Sequence, residues 1–371
     1  MKTDKRDVGL DLIRIVAFVS VLSVHFFLNT SFYTIPVNRM KMYIMVTARN
    51  CFMVCVPLFL LLTGYLMSVK EFTENKDFFK HLRKIKKVLL TYVLATIVIF
   101  LFKKFYFGES IGIKDALFNI LSYSQYSWYV ELYLGLFLLI PFLNILWKGL
   151  STKSQRLFLV IALSILTVLP SLLNVFDFYT PNALLKPFLS SSQNQVVPAW
   201  WVGIYPITYY YIGAYLRKDV DIKKLNSLIL FGLLILSFGL CGIINVWKSY
   251  GTELALGVWN DWGSFLNTAN TVLLFLFIYS FDYGKTPVFL RKLLGLLSEL
   301  TFGAYILSYI SDQILYPKLN ENVSEMFDKF LRAPIVVGKS VLISLFLALI
   351  VDLIIKGINF IFSEKCFPCK K

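Results

Sequence analysis

Three ionisable residues, Asp11, Arg14 and His25, fall inside the first long apolar run of the sequence, "GLDLIRIVAFVSVLSVHFF". An ionisable side chain is costly in hydrocarbon, so its presence in such a run marks a functional site by default. Arg14 and His25 are eleven residues apart, which on an α-helix puts them on one face about 16 Å from each other. Asp11 and His25 are fourteen apart, within about 40° of the same face. Arg or Asp turned to lipid would cost about 2.5–3.5 kcal/mol each, so this stripe has to face a bundle interior or a water-filled cavity. A neutral imidazole can take a proton near neutral pH, and a guanidinium is a permanent cation suited to phosphates and carboxylates. Structural roles compete with these. Asp11 and Arg14 at i, i+3 can simply pair, Arg14 can snorkel to the headgroups, and a histidine in a helix bundle can serve as a hydrogen-bonded interior residue.

The elements that must carry these residues are membrane helices. Of 371 residues, 57% are hydrophobic and only 16% charged, with 34 Phe and 21 Tyr, far from the composition of a soluble domain. Runs of about 20 apolar residues are needed to cross the hydrocarbon. They occur near 9–30, 50–69, 88–107, 127–147, 157–176, 199–216, 225–247, 264–282, 293–316 and 335–362. The expectation is an all-α, polytopic integral membrane bundle of about ten transmembrane helices, forming one domain over 1–371. The segments at 199–216, with Pro206, and at 293–316, with Glu299 and Asp312, have the least certain boundaries.

The net charge of +15 comes from short basic runs between apolar segments, not from one compact face, so no nucleic-acid partner is expected. Those runs report topology. The side that holds the N-terminus receives Lys2, Lys5, Arg6, seven basic residues from Lys70 to Lys87, and further groups up to Lys371, while the opposite side receives less than half as many. The positive-inside rule then places both termini in the cytoplasm. The N-terminal helix lacks a small-residue cleavage site, so it reads as retained and not as a signal peptide. Cys51, Cys55 and Cys241 lie in apolar runs, and Cys366 and Cys369 form a lone CxxC, too little for a zinc site, so no metal is expected. Tyr123, Tyr126, Trp128, Tyr129, Trp200 and Trp201 gather at expected outer helix ends, where an aromatic belt competes with sugar stacking as the explanation. No internal repeat or low-complexity run is present.

The opening run, with Arg14 followed by ten residues and His25, resembles the first helix of the membrane acyltransferase-3 family. The resemblance continues through "VPLFLLLTGYLMS" with Thr63 and Gly64, through the basic lead-in "FFKHLRKIKKVLLTY", and through "SWYVELYLGLFLLIPFLN" ending near Pro141. These segments lie in the first 150 residues, and the remainder matches by topology alone. In the ninth span the family often reads Ser-Phe-Gly-x-Tyr-Leu-x-His. Here "TFGAYILSYISD" has Thr301 and Ser308 at the outer positions, so a second histidine is absent or replaced.

The resemblance implies transfer of an acyl group, usually acetyl, from cytoplasmic acyl-CoA to a hydroxyl of an extracytoplasmic or lipid-linked cell-envelope glycan, with acyl-CoA as co-substrate and no bound cofactor. On that reading His25 is the catalytic base, served by Arg14 and Asp11. Arg83, Lys84 and Lys87, in the basic run before the third span, would meet the CoA phosphates, although positive-inside charge explains that run equally well. Trp128, Tyr129 and Glu131, at the outer start of the fourth span, would meet the acceptor; pairing with a neighbouring helix is the competing role for Glu131. The partners are then acyl-CoA, the glycan and the bilayer, and the location is the cell membrane. A transporter or flippase of a glycolipid or small polar solute would also use ten spans and a buried charged stripe.

Overall fold

A computed structural model describes residues 6–109, 112, 114, 115, 118, 127–190 and 192–364. Tyr123, Tyr126 and the Cys366/Cys369 pair lie outside the described residues. Among those described, the chain is helical and forms no strand beyond a single bridge between Val37 and Tyr250. Among the described residues seven helical passages are long and apolar enough to cross a membrane, with 40–67 and 75–106 each counted as one. The chain is therefore a multi-pass membrane protein.

The principal helices are α1 Val8–Leu28, α2 Met40–Phe52, α3 Cys55–Met67, α4 Asn75–Leu82, α5 Ile85–Tyr106, α6 Trp128–Gly149 and α7 Lys153–Thr167. After the short α8 (Pro170–Leu173) come α9 Tyr205–Asp219, α10 Ser227–Ser249, α11 Phe265–Ser280, α12 Val288–Asn322 and α13 Met326–Glu364. The expected segments at 157–176, 199–216 and 264–282 coincide with α7, α9 and α11, which have only 15, 15 and 16 residues. The expected span at 50–69 is the second half of a longer passage that begins at Met40 and breaks at Met53–Val54. Pro57 accounts for the break: it has no N–H to give the carbonyl of Met53, and its ring would clash with that carbonyl in a continuous helix.

The first helix is the hub. Asp7 caps it, its carboxylate accepting from the amides of Gly9 and Leu10 at 3.0 and 3.3 Å, which satisfies two of the donors a helix start leaves open. Ile13, Ala17, Phe18 and Leu22 are buried, and α1 packs against α3, α11, α12 and α13. Polar side chains on its other stripe therefore meet protein instead of lipid. The outer ring is supplied by α10 and α13, which expose Leu228, Ile229, Ile243, Leu342 and Phe346. Exposed aliphatic surface of this kind is what lipid covers.

Two glycines set the closest helix crossing. A Cβ on Gly64 of α3 would fall on the carbonyl oxygen of Tyr210, and one on Gly213 of α9 would fall on that of Leu61. Small residues let membrane helices approach backbone to backbone. Here the contact is reciprocal, and it fixes α3, which carries Cys55, Phe59 and Thr63, on one side of the cavity described next.

Candidate active site

The side chain of His25 meets Asp312, its Nδ1 lying 2.9 Å from Oδ2 across the α1–α12 contact. A carboxylate only accepts, so Nδ1–H donates and the imidazole's acceptor lone pair lies on Nε2. The Asp312 side chain is fully buried and that of His25 nearly so, at 0% and 11% exposure. Behind them a serine seam joins α12 to α13: Ser340 Oγ donates to Asp312 at 3.4 Å, and Ser311 lies 2.7 Å from Ser340 and 3.2 Å from Ser344. A buried carboxylate is tolerated only when paired and hydrogen-bonded, and this seam supplies the second partner.

Lower on the same two helices, Arg14 Nη1 donates to Ser298 Oγ at 2.7 Å. Ser298, Tyr305 and Asp312 recur every seven residues, so α12 offers one face to α1. The two contacts run in the same direction along both helices. Arg14 to His25 rises about 16 Å, Ser298 to Asp312 about 21 Å. The difference of about 5 Å is within the reach of a long arginine side chain, which on a helix tends toward the N-terminus.

A cavity of about 300 Å³ joins these two levels. Arg14, Lys87, Glu299 and Asp352 line one end, His25, Leu28, Trp128 and Trp262 line it near the other, and Phe59, Thr63, Tyr129, Tyr133 and Tyr305 contribute the walls. The rings of Trp128 and Trp262 lie 5.9 Å apart, tilted by 33°. Tyr129 packs at 6.0 Å on Tyr305 and 5.7 Å on Phe59, so the middle of the passage is aromatic.

The residues singled out in the sequence divide into two groups. Arg14, His25, Lys87, Trp128 and Tyr129 line the cavity. Asp11, Arg83, Lys84 and Glu131 do not. Asp11 is buried and taken by Arg6, whose Nε donates to it at 2.7 Å while Nη1 holds Glu299 at 2.6 Å and Nη2 donates to the carbonyl of Gly295 at 2.5 Å. Arg14 lies 3.9 Å from Asp11, a looser contact. The hydrogen bond to Asp11 raises the Arg6 guanidinium above its ordinary pKa. Arg83 and Lys84 are exposed at the turn between α4 and α5. Lys70, beside Lys84, is pushed down to about 8 by burial first and by that like charge second. Glu131 is exposed in the first turn of α6, where the helix dipole favours a carboxylate. Two residues after Tyr129, it is about 200° round the helix from the cavity face.

In the sequence Asp312 stands out only as an ionisable residue that blurs the bounds of the 293–316 run, and nothing local there pairs it with His25. Its seven-residue relation to Ser298 and Tyr305 was the available signal.

A family sequence model described as an acyltransferase domain, that of the acyltransferase-3 family, matches residues 7–351. No curated protein and no solved structure matches the chain.

Proposed function

From the premise that this chain belongs to the acyltransferase-3 family, and is thus a membrane acyltransferase, we propose that it moves an acetyl group from cytoplasmic acetyl-CoA to a hydroxyl of an extracytoplasmic or lipid-linked cell-envelope glycan. Its place would be the cell membrane, with both termini in the cytoplasm and the Arg14 end of the cavity facing the donor. The observation that carries this reading is that one cavity is lined by Arg14 and Lys87 at one end and by His25, Trp128 and Trp262 toward the other.

The chemistry assigns each group a task. Arg14 and Lys87 would hold CoA phosphates, for which a fixed guanidinium and a lysine ammonium are suited. The pantetheine arm would run along the aromatic walls and bring the thioester toward His25. The acceptor sugar would lie against Trp128 and Trp262, offering a hydroxyl to Nε2. As the hydroxyl oxygen bonds to the acyl carbon, its proton passes to Nε2, and Asp312 stabilises the imidazolium that forms, as a carboxylate behind a catalytic histidine does. The C–S bond then breaks, and the thiolate takes the proton from the imidazolium. Ester and CoA thiol are the products, and the histidine returns to its starting state.

The test is to compare by mass the envelope glycans of cells with and without the protein. Loss of acyl groups from one glycan class is expected; unchanged acylation across all classes would overturn the reading.

A further inference from the structure

A second pocket, of about 140 Å³, lies away from the His25 cavity, walled by Lys248 from the last turn of α10, by residues between Val175 and Ser190 together with Ser192 and Gln193, and by the segment 255–259. Both segments are tied down. Asn174 closes the first, its Oδ1 accepting from the amides of Val196 and Val197 at 2.8 and 2.9 Å and its Nδ2 donating to the Val197 carbonyl at 2.8 Å. Asn260 braces the second, donating to Asn245 Oδ1 at 2.7 Å and to the Ala255 carbonyl at 2.9 Å. The pocket is therefore a built feature of the fold.

Its charges are unevenly satisfied. Asp177 accepts from the amides of Tyr179 and Thr180 at 2.9 and 3.1 Å and from the hydroxyls of Ser190 and Ser192. These bonds, that of Ser190 foremost, hold its carboxyl well below the usual carboxylate range. Lys248 is 7% exposed. Its Nζ donates to the Val175 carbonyl and sits 4.8 Å from the Trp259 ring centre and 5.7 Å from that of Phe176. Among the described residues no carboxylate comes within ion-pairing distance of it. A buried cation is ordinarily paired with an anion. Asp177, the carboxylate in the same lining, is taken up by its own four donors and forms no ion pair with Lys248, so the ammonium has no ionic partner among the described residues.

The pocket also has an address. Val37, shortly after the His25 end of α1, bridges to Tyr250, just after Lys248, so the pocket lies toward the same end of the bundle as His25. Trp259 lines it, and Trp262, three residues on, lines the large cavity. Three residues span at most about 11 Å, close enough for one ligand to reach both.

We propose that the Lys248 pocket binds an oxyanion, a carboxylate or a phosphate, carried by the acceptor saccharide next to the unit presented to His25. That the carrier is the acceptor rests on the function proposed above; the anion site itself does not. The selection follows from fit. A neutral glycan would leave the ammonium with a carbonyl and two ring faces alone, whereas an acidic one would give it an ionic partner, the Asp177 carboxylate in the same lining being occupied by its own donors, while its neighbouring sugar lies against Trp128 and Trp262.

The test uses binding and not transfer, so its failure is separable from failure of the catalytic reading. Unfolding temperatures of the purified protein in detergent would be measured at constant ionic strength with inorganic phosphate, glucuronate or glucose as probe. A saturable rise with phosphate or with glucuronate, absent with glucose, is expected, and the probe that acts identifies the oxyanion. Lys248→Gln should abolish the rise. Gln193→Glu, at an exposed position of the pocket lining, leaves the fold undisturbed and should weaken the apparent affinity about tenfold by adding a like charge. No rise with either anion, an equal rise with glucose, or an affinity unaffected by Gln193→Glu would overturn the proposal.

Discussion

His25 and Asp312 are 287 positions apart in the chain and 2.9 Å apart in space, and the contact decides which imidazole nitrogen can act as a base. With Nδ1 committed to the carboxylate, Nε2 is left as the acceptor in the neutral ring. Asp312→Asn keeps the volume but removes the charge and can offer Nδ1 the wrong partner. Transfer should fall by about 10²–10⁴-fold while donor binding is retained. Steady-state rates with acyl-CoA at saturation, beside a direct donor-binding measurement, check this; a rate within threefold or so of the parent would remove Asp312 from the mechanism.

At the other end of the cavity the prediction separates residues that the sequence had grouped. All three are exposed, but Lys87 lines the cavity and Arg83 and Lys84 do not. Lys87→Gln and Arg14→Lys should each weaken acyl-CoA binding, the second despite the retained charge, because a point cation replaces a planar fork. Arg83→Gln should change it little. Calorimetric titration with a non-hydrolysable acyl-CoA analogue distinguishes them, and equal losses from Arg83→Gln and Lys87→Gln would disprove the assignment.

Gly64 predicts a packing defect that activity alone would misread. Alanine there meets the Tyr210 carbonyl, and backbone cannot swing aside. Overpacking of this kind costs about 1–3 kcal/mol. Gly135→Ala in α6, where a Cβ meets nothing within 4 Å, should instead be neutral or stabilising by up to about 1 kcal/mol. Thermal unfolding in detergent provides the comparison; similar midpoints for the two variants would contradict the close crossing of α3 and α9.

Lys70 predicts a pH effect. Its pKa in the fold is about 8, below the ordinary lysine value of about 10.4. Between those values the unfolded chain binds more protons than the folded one, so stability rises with pH across that window. The penalty is present at neutral pH and disappears as Lys70 loses its proton in both states. Lys70→Met should therefore be more stable than the parent near neutral pH, with the gap closing toward about pH 10. A gap that stays constant with pH would show that Lys70 carries no such penalty.

The face of α1 that holds Arg14 and His25 was legible because eleven residues return nearly to the same side of a helix, and both residues line the cavity. The same arithmetic placed Asp11 only roughly, about 60° from Arg14, and that offset is enough for Arg6 to claim it. Nothing local in the sequence ties Arg6 to Glu299, 293 positions away. Apolar content identified long helices but not their ends. Thus α12 and α13 extend beyond the runs expected at 293–316 and 335–362, because polar residues at helix ends leave a hydropathy run without ending the helix. The α2–α3 break at Pro57 was readable in principle, since proline inside a helical pattern interrupts it. The Asp312 contact needed the pairing of α1 with α12, which is tertiary information.

The most direct test of the central claim is the rate of acyl transfer from acyl-CoA by purified His25→Asn protein. Asparagine can still donate an amide hydrogen to Asp312, so the buried carboxylate keeps a partner while the basic nitrogen is gone; unfolding temperature and acyl-CoA binding near parental values would certify the variant as folded. The account predicts a loss of about 10²–10⁴-fold in the transfer rate. Transfer at the parental rate by that folded, donor-binding variant would contradict it.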